Sequence, residues 1–166
     1  MNYDEAAAYW DERETETIRM EPTELLEAIE KFIVEHNTCA LATGCGAFVR
    51  CTPIEYCYKD KNFWILSEGG LKFHALKGNQ NVSLAIFDSF TGFNHLGGLQ
   101  VTGTAEVIEP WSAEYMNWLT YKKISSEKLK KLPSTLYLIK IIPTRMDFLC
   151  SEFKQLGFDY RQHIIL

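Results

Sequence analysis

The chain has 166 residues, of which 46% are hydrophobic and 23% are charged, and these values are typical of one globular domain with a single core. Its formal net charge of −5 argues against a nucleic-acid-binding surface, because such surfaces concentrate lysine and arginine. No segment approaches the roughly 18 consecutive apolar residues of a membrane-spanning helix. We therefore expect a single soluble domain over residues 1–166, without a nucleic-acid or membrane partner.

The amino terminus, MNYDEAAAYWDERETETIRM, is acidic and lacks the basic start and apolar middle of a secretory signal. We therefore expect a cytoplasmic protein in which residues 1–21 form a helical extension. The five cysteines include no C-x-x-C pair and no cysteine–histidine ligand pair, so the sequence predicts no metal site.

The first strong periodic signal lies in residues 23–36 and has the spacing of a helix. Its apolar residues occur at positions i, i+3, i+4, i+7 and i+8 and therefore share one stripe: Leu25, Leu26, Ile29, Phe32 and Ile33. This pattern predicts an amphipathic helix that packs on the core.

From Thr38 the sequence changes to strand patterns. TCALAT, AFVRCTPIEYCYKD and FWILS read as three strands of a meander, because the turns between them are too short for parallel crossovers. Alternation in the second strand places Arg50 and Thr52 on one face and Cys51 and Pro53 on the other. NVSLAIFD and LQVTGTAEVIE give two more strands.

The last third of the chain alternates helical and strand patterns. Residues 111–123 and 125–131 read as two helices, residues 134–153 as two final strands around Pro143, and residues 157–166 as a tail. About six strands with inserted helices indicate a closed or nearly closed barrel of the mainly β or α+β class.

The segment SEGGLK connects a strand directly to a short helix and has the composition of an anion site. N–H groups at a helix start favour an anion, the hydroxyl of Ser67 can donate to it, and Lys72 adds a full charge. Gly69 and Gly70 allow close approach of the backbone, and Arg50 on the neighbouring strand can add a bidentate contact. Taken alone, the segment fits a glycine turn with a surface lysine equally well.

The order of several segments along the chain supports the interpretation of SEGGLK as an anion site. VRCTP, WILS, EGGLKFHALKGNQNVSLAIFD and GLQVTGTAEVIE, in that order, resemble the flavin mononucleotide (FMN)-binding family of pyridoxamine 5′-phosphate oxidase. The resemblance spans residues 40–109 and continues more weakly through YLIKIIPTRMDFL and FKQLGFDYRQ. It implies a six-stranded antiparallel split β-barrel of Greek-key type with flanking helices, and a homodimer with FMN at the interface.

The resemblance also implies which residues bind FMN. The strand VRCTP would run beside the flavin, the end of WILS and Lys72 would grip the phosphate, Gln100 would hydrogen-bond the isoalloxazine edge, and the tail would complete the partner's site. The residues implied are Arg50, Cys51, Thr52, Pro53, Leu66, Ser67, Lys72, Gln100 and Arg161. No catalytic residue is identified.

Two departures from the family argue against pyridoxamine phosphate oxidation itself. Glu55 stands where the true oxidase has a basic residue, and the terminal segment HIIL does not reproduce the arginine-rich tail of that enzyme. We therefore expect an FMN-dependent oxidoreductase that acts on another small substrate.

Several alternatives remain open at the level of sequence. The first is a haem-binding or haem-degrading protein of the same barrel type, with an axial ligand from His74, His95 or His163. The others are a flavin binder without turnover, and a protein that holds a deazaflavin in place of FMN.

Overall fold

Eight strands form one antiparallel sheet in a computed structural model that describes residues 2–166, apart from the side chains of Trp10 and Asp11. The strands are β1 (Thr38–Cys45), β2 (Phe48–Glu55), β3 (Cys57–Lys59), β4 (Asn62–Ser67), β5 (Asn81–Phe87), β6 (Gly97–Ile108), β7 (Tyr137–Cys150) and β8 (Arg161–Ile165). The helices are α1 (Tyr3–Glu14), α2 (Pro22–Glu35), α3 (Lys72–Leu76), α4 (Ala113–Tyr121) and α5 (Ser126–Leu129), with a 3₁₀ helix at Ser151–Leu156.

The order of the strands makes the sheet curl into a barrel. The order is β2, β1, β5, β6, β7, β4, β3, and β8 pairs with β7 beyond the end of β4. Because β2 and β3 lie at opposite ends of this order but are separated in the chain only by Tyr56, the two edges must come together. Strand β4 lies beside β7, the last of the three sequential neighbours β5, β6 and β7, which is the Greek-key arrangement. The predicted antiparallel Greek-key split barrel is therefore confirmed.

The structure has eight strands rather than the predicted six, and two of them, β3 and β8, were not predicted as separate strands. The second predicted strand is bent at Tyr56, whose N–H donates to the Asn37 carbonyl at 2.9 Å and whose hydroxyl donates to the Ile33 carbonyl at 2.7 Å. These bonds hold Tyr56 to α2, and the strand becomes β2 and β3. The predicted tail also contains a strand, β8, which pairs with β7.

The two final strands predicted around Pro143 are instead one long strand, β7. Proline has no N–H for the ladder, and the β6–β7 register shifts at this point: Thr102 pairs with Arg145, whereas Gly103 pairs with Pro143. The extra residue between them, Thr144, is accommodated as a bulge. The strand therefore continues past the proline with a local irregularity.

Helix α2 closes the barrel interior with the stripe that the sequence predicted. Leu25, Ile29, Phe32 and Ile33 are buried in the main core, and Leu26 is half-buried. The helices predicted near residues 111–123 and 125–131 are present as α4 and α5, and α4 packs Tyr115, Trp118 and Leu119 against the outside of the barrel.

The predicted amino-terminal helix is present as α1, and the residues after it run along β8. The amide of Gln162 donates to the Ile18 carbonyl at 3.0 Å, and its carbonyl accepts from the Met20 N–H at 3.1 Å. Within residues 2–166, no helix has both the length and the apolar character needed to cross a membrane.

The part of the sheet from β2 to β8 has two distinct faces. The interior face carries the core, including Leu41, Leu84 and Val101. The outer face carries mainly small or polar side chains in rows across the paired strands, with larger apolar side chains such as Val49, Phe87 and Leu149 near its ends. One such row consists of Pro53, Ala40, Ala85, Gln100, Asp147 and His163.

The close approach of β6 and β7 at the bulge gives a prediction for stability. A Cβ added at Gly103 would lie 2.4 Å from the Ile142 carbonyl oxygen, so Gly103→Ala should lower the free energy of unfolding by about 1–3 kcal/mol. The control is Gly98→Ala in the same strand, where the added Cβ would meet no neighbour closer than 4.0 Å. Urea unfolding measures both, and equal effects would contradict this account of the bulge.

Candidate functional site

The turn between β4 and α3 is organised around the carbonyl oxygen of Gly69. Gly69 and Gly70 have φ values of +119° and +102°, which residues with a side chain rarely adopt. The Ser67 hydroxyl donates to the Gly69 carbonyl at 3.1 Å, and the Lys72 ammonium donates to the same oxygen. The turn therefore holds these two donors on either side of one acceptor.

The N–H groups of α3 contribute less to an anion site than the sequence predicted. The helix has five residues, and the N–H groups of Phe73 and His74 already donate to the carbonyls of Gly70 and Leu71 at 3.2 and 3.1 Å. A helix of this length also carries little dipole. Any attraction for an anion must therefore come mainly from side chains.

Lys72 is a buried cation next to a second cation. Its residue is 5% exposed, and its pKa is lowered from the ordinary value, first by burial and second by the positive charge of Arg50. Among the described residues, no carboxylate forms an ion pair with either side chain. The Gly69 carbonyl accepts a hydrogen bond from Lys72 but does not neutralise its charge. Because burying a charge without a counter-charge is costly, this arrangement favours the binding of an anion.

Two threonine hydroxyls lie on the same face of the sheet as Arg50. The Oγ1 atoms of Thr43 and Thr52 are buried and have no hydrogen-bond partner within residues 2–166. Thr43 lies opposite Arg50 in the β1–β2 pairing, with their Cβ atoms about 5 Å apart, and Thr52 is the next residue of β2 on that face. Hydroxyls of this kind can donate to the oxygens of an anion. We name the following five residues the cradle: Thr43, Arg50, Thr52, Ser67 and Lys72.

Thr43 is the residue of the cradle that sequence reasoning missed. Alternation in TCALAT places it on the same face as Leu41 and Cys39, both of which are buried. A polar residue at a core-facing position is unusual unless it has a partner, and this was the signal available in the sequence.

The structure divides the nine predicted site residues among three places. Arg50, Thr52, Ser67 and Lys72 belong to the cradle. The side chain of Leu66 packs instead with the cluster around α4. The remaining four lie on the outer face of the sheet: Cys51, Pro53, Gln100 and Arg161.

Gln100 and the cradle of the same chain cannot contact one ligand, because the sheet lies between them. The two lie on opposite faces, and β6 is three strand positions from β2, which corresponds to about 14 Å. A site that uses both the cradle and Gln100 therefore needs a second chain.

The three histidines considered as haem ligands do not converge. His74 is exposed on α3, with its ring centroid 6.2 Å from that of Phe48. His95 is exposed in the loop between β5 and β6. His163 is half-buried, with Arg19 Nη1 3.2 Å from its ring nitrogens, and its pKa is lowered, chiefly by burial.

His163 also belongs to a group that resembles a metal site in composition. Ligand atoms of Glu14, Asp147 and His163 lie within 4.8 Å of one another. However, Arg145 Nη2 lies 3.0 Å from the Glu14 carboxylate and 2.6 Å from that of Asp147. The guanidinium already supplies the positive charge there, so the group serves to attach α1 to β7.

Comparison with known proteins identifies the family of the chain. The family described as pyridoxamine 5′-phosphate oxidase matches residues 25–150. The chain belongs to this family. No match was found among curated proteins.

Several solved structures share the fold of this chain. A FAD-binding protein from Mesorhizobium loti is 17% identical, with a TM-score of 0.57 over 73% of this chain and 89% of that chain. HutZ, the heme storage protein from Vibrio cholerae, is 18% identical, with a TM-score of 0.58 over 76% of this chain and 91% of that chain. A conserved hypothetical protein from Mycobacterium tuberculosis is 21% identical, with a TM-score of 0.61 over 86% of this chain and 91% of that chain. At these identities the comparisons establish the fold alone.

The unpartnered hydroxyls give a prediction for the protein without a ligand. Thr52→Val keeps the shape of the side chain and removes a buried hydroxyl that has no partner, so the free energy of unfolding should stay within about 0.5 kcal/mol or rise. Thr104→Val, at an exposed position of β6, is the control. A loss of more than about 1 kcal/mol for Thr52→Val alone, in thermal or urea unfolding, would mean that the hydroxyl is satisfied within the protein.

Proposed function

We propose that this protein is a homodimeric FMN-binding flavoprotein that acts as an oxidoreductase on a small substrate. The observation that carries the proposal is the buried Lys72 beside Arg50, without a carboxylate partner among the described residues. A phosphate monoester carries close to two negative charges and three acceptor oxygens. It therefore suits a cradle of two cations and three hydroxyls.

The residues of the cradle fit the phosphate group of FMN. Ser67 and Lys72 would exchange the Gly69 carbonyl for phosphate oxygens, while the hydroxyls of Thr43 and Thr52 would gain acceptors. Arg50 would add charge-assisted hydrogen bonds at the rim, where it is exposed. When bound, FMN would supply hydride or electron transfer, and the protein residues would hold and orient it.

The division of the site between two faces supports a homodimer. If the phosphate lies in the cradle of one chain, Gln100 and Arg161 can reach the ring only from the outer face of a partner. That face suits close approach of a second copy because it carries small side chains such as Ala42 and Ala85, with Val49 78% exposed at its edge.

The chemistry of the cradle favours a flavin nucleotide over haem. Haem would need an axial ligand, usually histidine, cysteine, methionine or tyrosine. None of the five cradle residues is of these types, whereas all five can donate hydrogen bonds to a phosphate. Mass spectrometry of the chromophore released from purified protein distinguishes FMN, FAD, a deazaflavin and haem. A colourless protein that does not bind added FMN would refute the proposal.

The cradle predicts a specific pattern of FMN affinities. Arg50→Ala and Lys72→Ala should each weaken binding by about 10- to 100-fold, which corresponds to about 1.5–3 kcal/mol for a charge-assisted hydrogen bond. Lys77→Ala is the matched control, because Lys77 is an exposed lysine at the end of α3. The FMN affinity of this variant should equal that of the original protein. Quenching of flavin fluorescence measures all three, and unchanged affinity in both cradle variants would contradict this assignment.

The lowered pKa of Lys72 predicts a pH dependence of FMN binding. Burial and Arg50 favour the neutral amine in the free protein, whereas the phosphate favours the ammonium, so binding above the pKa of the free protein requires proton uptake. FMN affinity should therefore fall as pH rises through that pKa, by at most about tenfold per pH unit.

Two controls assign this pH dependence to Lys72. Riboflavin has the same ring but no phosphate, so its affinity for the protein should not fall as pH rises through the pKa of Lys72. Lys72→Arg should remove the dependence as well, because a guanidinium stays protonated in this range. Equal pH profiles for FMN and riboflavin would contradict the role of Lys72.

A further inference from the structure

A second cavity lies between the loop of residues 88–96 and the 3₁₀ helix Ser151–Leu156. Its volume is about 570 Å³, which is within the range of small-molecule sites. Phe93, Leu96, Leu149 and Tyr160 provide most of its apolar lining. The cavity is therefore large enough for a one- or two-ring organic molecule.

The charged residues among the described lining of this cavity are all basic. Lys154 and Arg161 line it, and none of the described lining residues carries a carboxylate, although the chain as a whole has a net charge of −5. Lys154 Nζ lies 4.8 Å from the centroid of the Tyr160 ring, which keeps the ammonium close to the apolar wall. An anionic group joined to a flat apolar body would match both features.

The wall formed by the loop is fixed to the 3₁₀ helix. The Ser151 hydroxyl donates to the Phe93 carbonyl at 3.0 Å and accepts from the Leu96 N–H at 2.9 Å. The Ser151 N–H also donates to the Leu96 carbonyl at 2.9 Å. Phe93, which lines the cavity although it is 82% exposed, is thus held at the opening by its backbone, with its ring centroid 5.6 Å from that of Phe90.

The cavity adjoins the part of the outer face that carries Gln100. A neighbouring groove is lined by Gln100, and the two share Leu149 and Arg161. Leu149 pairs with Gly98 on one side and Arg161 on the other, and Gly98 is two residues, or about 7 Å, from Gln100 along β6. The cavity therefore borders the position at which the flavin ring is proposed to lie.

We propose that this cavity is the substrate site and that it binds flat, apolar organic anions, with the anionic group at Lys154 and the apolar body against Leu96 and Leu149. This inference rests on the proposed function, because it identifies the space beside the bound flavin. It adds the class of substrate, which the cradle does not determine.

The test uses 2-naphthoate and the uncharged isostere 2-naphthamide, titrated by calorimetry into the FMN-loaded protein. Naphthoate should bind once per chain, at least about tenfold more tightly than naphthamide, and should perturb the flavin absorption spectrum. Lys154→Gln should weaken naphthoate binding by about tenfold and leave naphthamide unchanged. Phe93→Ser should weaken both ligands, because it removes apolar contact.

Lys128→Gln is the matched control, because Lys128 is an exposed lysine in α5 and is not among the residues lining the cavity. Neither Lys154→Gln nor Phe93→Ser should change FMN affinity. Three outcomes would overturn the cavity proposal while leaving the FMN site intact. They are equal affinity for naphthoate and naphthamide, equal effects of Lys154→Gln and Lys128→Gln on naphthoate binding, and naphthoate binding without a change in the flavin spectrum. Selective naphthoate binding to a protein that does not bind FMN would instead refute the proposed function, and with it the substrate role.

Discussion

The bend at Tyr56 is the constraint on which both the barrel and the site depend. One buried residue joins β2, at one end of the strand order, to β3, at the other. Its bonds to the carbonyls of Ile33, in α2, and Asn37, just after α2, attach the bend to the carboxyl end of that helix. Because the sheet closes here, the interior face of β2 comes close to the turn after β4, and Arg50 comes close enough to Lys72 to lower its pKa.

The closed barrel concentrates unsatisfied polar groups at one end. Lys72 and Arg50 have no carboxylate partner within the described chain, and Thr43 and Thr52 have hydroxyls without acceptors. The burial of Lys72 and the two unpaired hydroxyls lowers stability in the absence of a ligand, whereas Arg50 is exposed and adds only its positive charge. An anion that satisfies all of them at once would gain affinity and would also stabilise the folded protein by mass action.

Local patterns in the sequence predicted much of this arrangement, but pairing across the sheet did not follow from them. The stripe on α2 predicted its buried face, and alternation in VRCTP separated Arg50 and Thr52 from Cys51 and Pro53. Alternation in GLQVTGTAEVIE likewise indicates that Gln100 faces outward, but its separation from the cradle depends on the strand order and on registers through β1 and β5, which no local pattern specifies. Strand β8 was missed because its short segment gains its hydrogen bonds only from the distant β7.

The central claim is that one FMN site is built from the cradle of one chain and the outer face of its partner. Mixing two variants that do not bind FMN, Lys72→Glu and Gln100→Glu, tests it most directly. After subunit exchange, each heterodimer would contain one site with both defects and one intact site. FMN binding should then return to about one quarter of all sites, since about half of the dimers would be mixed. A mixture that exchanges subunits but binds no FMN would contradict the account.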